Sequence, residues 1–322
     1  MGAAELDSKD KQILYQLDVT ARQPVSAIAK KVRLAREVVS YRVKNLEKRG
    51  VIQGYYAAID IAKLGYMYCR VLIKYENIGL EQEKEVLQVA KSLPYVGWIS
   101  CNDGRWDLTL VVWAKSLADF EMAYDDVRFR LGRYFQETYV SIAFKIYHFR
   151  HNYLFGTKDF SQAILGEPKR VKYDEVDLRI LKLLARNARM STVDIANSLE
   201  LTPNAVKGRI RKMQKQGIII AFRVKINTGL LGYEHYKIFL ALHNMSERKQ
   251  KELVAYLRYN PNVVYVTKAF GIADLEFEVM LYGQRELHEF MRALRQNFSS
   301  VIKGFDCLII YDEPLINYLP GE

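Results

Sequence analysis

The sequence is poor in the residues on which most enzyme chemistry depends. Its three cysteines, Cys69, Cys101 and Cys307, are an odd number without CxxC spacing. Neither a disulfide framework nor a zinc knuckle is supported, and buried free thiols are expected. The five histidines are scattered: His148 and His151 have no carboxylate or cysteine beside them, His235 and His243 end one apolar run, and His288 lies in a helical one. No Ser/His/Asp or Cys/His set has a local signature, and no glycine-rich phosphate loop occurs, so neither a catalytic residue, a metal nor a cofactor is expected. No stretch approaches 18 continuous apolar residues, and the start MGAAELDSKDKQ lacks the charged and apolar regions of a leader. A soluble, intracellular chain without a membrane partner is therefore expected. Acidic residues are also in deficit: 37 Asp and Glu stand against 48 Lys and Arg, a net charge of +11. That balance suits a polyanionic partner.

What the sequence does have is a repeat. Shifting the chain by 167 positions lays IAKKVRLAREVVSYRVKNLEKRGVI (28–52) on IANSLELTPNAVKGRIRKMQKQGII (195–219) without a gap. Across 7–52 and 174–219, 15 of 46 positions are identical, among them Asp7, Asp10, Leu17, Arg22, Arg42 and Gly50 with their partners. In the first copy Ile28, Ala29 and Val32 share one face of a short helix, and Val39, Val43 and Leu46 recur at the i, i+4, i+7 spacing of another. The brief turn Arg33–Ala35 forces the two to cross steeply, as in a helix-turn-helix. A preceding helix over Leu6–Leu17 turns Ile13, Leu14 and Leu17 inward, with Asp7 and Asp174 at or near the N-caps of the two copies.

With the apolar stripe inward, Arg36, Glu37, Ser40, Tyr41 and Lys44 face out in copy one, and Asn204, Lys207, Gly208 and Arg211 in copy two. Such a helix fits the major groove of double-stranded DNA. Arg36, Ser40, Tyr41, Asn204 and Lys207 are expected to discriminate bases, and Arg42, Lys44, Lys48, Arg209, Arg211 and Lys212 to hold phosphates. Ala35 stands where an N-cap is expected, whereas copy two has Thr202 and then Pro203. Gly208 removes a side chain from the second reading face, so the two helices should not read the same bases.

After each motif comes an aromatic and β-branched strand ending in Leu-Gly-Tyr, expected to be an edge hairpin or tether. A strand–helix–strand–strand–helix–strand order follows: 66–75, 80–93, 96–101, 107–113, 116–131 and 138–147, then again from 235 to 311. The expected class is α+β, two tandem copies of a helix-turn-helix followed by a ferredoxin-like βαββαβ domain. The divisions are 1–52, tether 53–65, domain 66–157, linker 158–172, then 173–219, 220–232 and 233–322. The aromatics Trp98, Trp113 and Phe277 fall in apolar runs and suit core or inter-sandwich packing rather than base stacking.

LDSKDKQIL, ARQPVSAIAKKV and VVSYRVKNLEKRGVI, the following Leu-Gly-Tyr, and the Gly-x-x-Asp loops Gly104–Asp107 and Gly271–Asp274 together resemble the Lrp/AsnC (leucine-responsive, feast/famine) family of transcription regulators. The resemblance covers nearly all of both halves. It implies pairing through the ferredoxin-like domains, here as an intramolecular pseudo-dimer that could assemble further, associated with the nucleoid in the cytoplasm. It also implies control by an amino acid or related small molecule near Gly104, Asp107, Gly271 and Asp274. Trp106 and Ala273 differ too much in bulk for two equal pockets. A nucleoid-type architectural protein is the competing reading. The siroheme decarboxylases resemble the same architecture, but the loops VGWISCNDGRWD and VVYVTKAFGIAD lack their histidines, and His151-Asn152-Tyr153 lies in the wrong place.

Overall fold

The computed structural model describes residues 5–166, 169 and 171–321. The first copy runs α1 (Ser8–Val19), α2 (Val25–Val32), α3 (Arg36–Lys48), β1 (Ile52–Ile59), β2 (Met67–Tyr75), α4 (Leu80–Ser92), β3 (Val96–Gly104), β4 (Leu108–Ala114), α5 (Leu117–Leu131) and β5 (Phe135–Phe149). A short strand, β6 (Gln162–Leu165), precedes the second copy. That copy runs α6 (Glu175–Arg186), α7 (Thr192–Leu199), α8 (Pro203–Lys215), β7 (Ile219–Ile226), β8 (Glu234–Leu242), α9 (Glu247–Arg258), β9 (Val263–Phe270), β10 (Leu275–Leu281), α10 (Gln284–Phe298) and β11 (Ile302–Ile316). The expected order is thus present twice. None of the described helices is long and apolar enough to cross a membrane.

The chain divides into two compact units. One holds both helix-turn-helix modules and the segment Arg150–Asp159. Here the tethers are paired with each other: β1 and β7 form a two-stranded antiparallel sheet. Its register sets Tyr56 opposite Arg223, which are equivalent residues of the two copies, so the relation between the copies is a local two-fold through that pair. Hydrogen bonds obey it. Ala21 N–H donates to Phe222 O at 2.8 Å and its equivalent Ala188 to Tyr55 O at 2.9 Å; Asp60 bonds Ile218 and Asn227 bonds Val51, each at 2.9 Å. The first module's core, Ile13, Leu14, Leu17, Ile28, Val39, Val43 and Leu46, includes Val224 from the other copy's strand. At roughly 1.5–3 kcal/mol per fully buried aliphatic side chain, this shared packing makes the modules mutually dependent.

The other unit is a nine-stranded sheet in the order β2-β4-β3-β11-β8-β10-β9-β5-β6, with β2 also paired to β5. The extra pairing closes eight strands into a barrel, four from each copy. Strand pleating separates the two faces. On β10, Leu275, Phe277, Val279 and Leu281 point outward to Leu253 and Leu257 of α9 and Met291 and Leu294 of α10. The first copy does the same with Cys69, Val71, Ile73, Leu110 and Val112 under α4 and α5. Inside the barrel the alternate residues include several charged ones among aromatic and hydroxyl side chains. Arg70 Nη2 donates to Glu276 Oε1 and to Ser141 Oγ, both at 2.6 Å, and Nη1 to Glu276 Oε2. Lys237 bridges Glu276 and Glu278 at 3.2 and 2.7 Å, and His235 Nε2 lies 3.0 Å from Glu278. Trp98 donates to Glu313 at 2.8 Å.

Two expectations change. Within the expected linker 158–172, residues 162–165 are β6, antiparallel to the end of β5; positions 167, 168 and 170 lie outside the described residues. β5 pairs with β2 only as far as Ala143, and β6 covers the edge exposed beyond it. Among the cysteines, Cys69 and Cys101 are buried but Cys307 only half so. Burial pushes the Cys69 and Cys101 thiols up to about 12 and that of Cys307 to about 11, so they are poor nucleophiles.

Candidate nucleic-acid interface

Helices α3 and α8 each follow a turn through a left-handed, non-glycine residue, Arg33 (φ 54°) or Glu200 (φ 56°). Local chemistry then differs. Thr202 Oγ1 accepts from Ala205 N–H at 3.2 Å and Pro203 opens α8, whereas no side chain caps α3 behind Ala35. Ala35→Ser is expected to stabilise the first module by about 0.5–1 kcal/mol, read as a higher thermal midpoint, while Thr202→Ala costs a similar amount.

The faces expected to read DNA are open. Arg36, Tyr41, Lys44 and Lys48 are exposed on α3, Tyr41 by 71%, and Asn204, Lys207, Arg211 and Lys212 on α8; Ser40 is half-buried. Arg42 and Arg209 have another occupation. Arg42 Nη1 donates to Asp7 and Asp10, both at 2.8 Å, and Arg209 repeats the contact with Asp174 and Asp177 at 2.8 Å. Lys212 adds a bond to Asp177 at 3.2 Å. Asp7 and Asp174 also cap α1 and α6, so one carboxylate pair fixes the first helix and clamps the reading helix to it. The hydrogen bond from Asp10 N–H, with Arg42, holds the Asp7 carboxyl below its ordinary range; Arg209 does the same for Asp174. The clamps orient α3 and α8 and tie up Arg42, Arg209 and, in part, Lys212, while Lys44, Lys48 and Arg211 stay exposed and outside these ion pairs.

The Gly-x-x-Asp loops are shaped by backbone needs. Gly104 and Gly271 have φ of 135° and 127°. A Cβ on Gly271 would meet Val140 O at 2.9 Å and Ser141 Cα at 3.1 Å. Gly271→Ala should therefore cost about 1–3 kcal/mol, measurable by urea unfolding. Asp107 accepts from Tyr75 N–H at 2.7 Å and Lys74 Nζ at 2.8 Å, and Asp274 from Leu242 N–H at 2.7 Å. Both aspartates thus tie strand ends. Trp106 is buried with Leu72, Phe239 and Leu308. Gly104 borders a recess of about 460 Å³ containing Asp103, Leu287, Met291, Arg295 and Phe305.

The residues missed from sequence are the buried charges Asp18, Arg70, Arg223 and Glu276, with the largely covered Lys237 and Glu278 beside them. For those on strands the signal was single charges at alternate positions in otherwise apolar runs, as in LEFEVML; Asp18 lies on α1. A cavity of about 60 Å³ lies among those in the barrel, room for a few waters and well below the roughly 300–1,000 Å³ of small-molecule pockets. His148 packs edge-on against Tyr265 at 4.7 Å.

A winged helix-turn-helix DNA-binding model matches residues 6–53 and again 173–220. The HTH-type transcriptional regulator LrpA of Pyrococcus horikoshii is 33% identical over 130 residues, 40% of this chain and 87% of that protein. An uncharacterized HTH-type transcriptional regulator of Pyrococcus furiosus, PF0250, is 35% identical over 113 residues, 34% of this chain and 75% of that one. Among solved structures, the siroheme decarboxylase NirDL, described in complex with an iron-uroporphyrin III analogue, covers 98% of this chain and 94% of its own at a TM-score of 0.61. Its 12% identity makes this a likeness of fold alone.

Proposed function

The chain belongs to the Lrp/AsnC family of DNA-binding transcription regulators, and we propose that it acts as an intramolecular pseudo-dimer reading one asymmetric DNA site with two unlike heads. What carries the reading is the β1–β7 pairing, which places α3 and α8 on one compact unit under a local two-fold. In this proposal Arg36, Ser40, Tyr41, Asn204 and Lys207 discriminate bases, and Lys44, Lys48 and Arg211 hold phosphates. Arg42, Arg209 and Lys212 serve first as clamps. Half-sites then lie one DNA turn apart, about 34 Å, or a multiple. Fluorescence anisotropy on a duplex across a salt series tests this: log affinity falls linearly with log salt, and Lys44→Ala or Lys48→Ala flattens the slope by about one unit each. Binding indifferent to salt would count against the phosphate roles.

An amino-acid-like effector fits the recess beside Gly104, where Arg295 offers a partner for a carboxylate and Asp103 for an ammonium group. Asp107 and Asp274 are engaged in the fold, so the proposal for them reduces to shaping the loops. Titration calorimetry with amino acids, lost in Arg295→Ala, tests it. We propose no enzymatic role: the barrel interior is filled by ion pairs, and its small cavity is no match for a tetrapyrrole. A saturable absorption shift of an added iron tetrapyrrole would overturn that part. An architectural DNA-binding role without sequence preference remains the alternative that binding selection distinguishes.

A further inference from the structure

The buried charges break the relation between the copies in a way that the hydrogen bonds and strand pairing do not. Arg223, on the local two-fold, donates through Nη1 to both oxygens of fully buried Asp18 at 2.8 and 3.0 Å. The equivalent positions on the other side hold Tyr56 and Ala185, both buried. Only one side of the axis carries the ion pair. The barrel shows a second, independent imbalance. Arg70 of the first half meets Glu276 of the second, but the positions equivalent to Glu276 and Glu278 are Thr109 and Val111, and that equivalent to Arg70 is Lys237. Among the described residues, the acids facing the barrel interior, buried Glu276 and the partly covered Glu278 and Glu313, come from the second half.

We propose that these two charge sets are a pairing code: each half of the chain accepts the unlike half as partner and rejects a copy of itself. Pairing of two first halves would bury two Asp18 carboxylates against Tyr56 and two Arg70 guanidiniums against Thr109. Pairing of two second halves would bring two Arg223 guanidiniums together on the axis with Ala185 in place of Asp18. It would also crowd two copies each of Glu276 and Glu278 around two lysines. A buried charge deprived of its counter-ion weakens association by about a hundredfold or more, and every like pair contains several. Two symmetric partners cannot place an acid and its base on one side only; a fused chain can. The inference rests on the pseudo-dimer reading and adds to it that the two unlike heads are always presented together, whether the partner half lies in the same chain or is exchanged with a second copy.

The test uses the full chain with a specific-protease site at 167–170, folded, cut, carried through urea and back, and weighed by native mass spectrometry. The code predicts paired species that contain one half of each kind. Like pairs in statistical proportion would overturn the code while leaving pairing itself intact. Halves that stay single would overturn both the code and the pseudo-dimer. In a second experiment Asp18→Ala with Arg70→Thr removes the charges that a like pair of first halves would strand. Such pairs should then appear; their continued absence would overturn the assignment to these residues.

Discussion

Arg223→Ala is expected to destabilise the helix-turn-helix unit by about 3–5 kcal/mol, because it strands the Asp18 carboxylate in a site with no access to water. Urea unfolding gives the magnitude, and its pH dependence gives the cause. In the native protein burial pushes the Asp18 carboxyl up, but Arg223 and then His151, whose Nδ1 lies 3.2 Å away, more than offset it and hold it below its ordinary range. A depressed carboxyl contributes stability that is present above its unfolded pKa of about 3.9 and is lost as pH falls through the folded value. Without Arg223 burial dominates and the shift reverses. The variant should gain relative stability as pH drops from neutral toward 4, where the native protein does not. Asp18→Ala with Arg223→Tyr copies the other side of the axis and should recover most of the loss. A loss of under 1 kcal/mol for Arg223→Ala would mean that the pair is solvated in solution.

The second large effect concerns DNA. Asn204→Ala and Lys207→Ala should each cost about 1–3 kcal/mol at the bases read by α8 and leave the half-site of α3 unchanged. The converse holds for Arg36 and Tyr41, because the two faces present different groups at equivalent positions, Tyr41 against Gly208 most of all. Competition binding with single-base operator variants reads this directly. Arg42→Ala makes the contrast: losing the clamp to Asp7 and Asp10 should lower the stability of the first module and weaken binding without relaxing preference at any one base. If Arg42→Ala instead behaved like Lys44→Ala, flattening the salt slope with stability intact, the clamp would be secondary to a phosphate contact.

The order of elements and the exposed faces of α3 and α8 were legible because each depends on local periodicity, and the repeat because it aligns without a gap. Val39, Val43 and Leu46 define the buried side of α3 whatever the rest of the chain does. The clamps were legible in principle: Asp7, Asp10 and Arg42 are all identical between copies, and three identical charges suggest mutual contact better than contact with unlike half-sites. A helical face alone could not show this, since the aspartates lie 35 and 32 residues before the arginine. Barrel closure was out of reach, because the pairing of β3 with β11 and β5 with β9 is set by the other half of the chain. The Gly-x-x-Asp loops show a third limit. Their glycines answer to carbonyls such as Val140 O, and their aspartates to backbone amides, neither visible from spacing.

The central claim, two unlike heads on one DNA site, is tested most directly by selecting from a randomised duplex pool with the intact protein, at near-physiological salt and against competitor DNA, then sequencing what is retained. The account predicts a two-part motif with a fixed spacing and unlike halves, one of which loses its information in Asn204→Ala. Strong, steeply salt-dependent binding with no enriched sequence would contradict it in favour of an architectural role, and no binding at all would contradict the DNA reading itself.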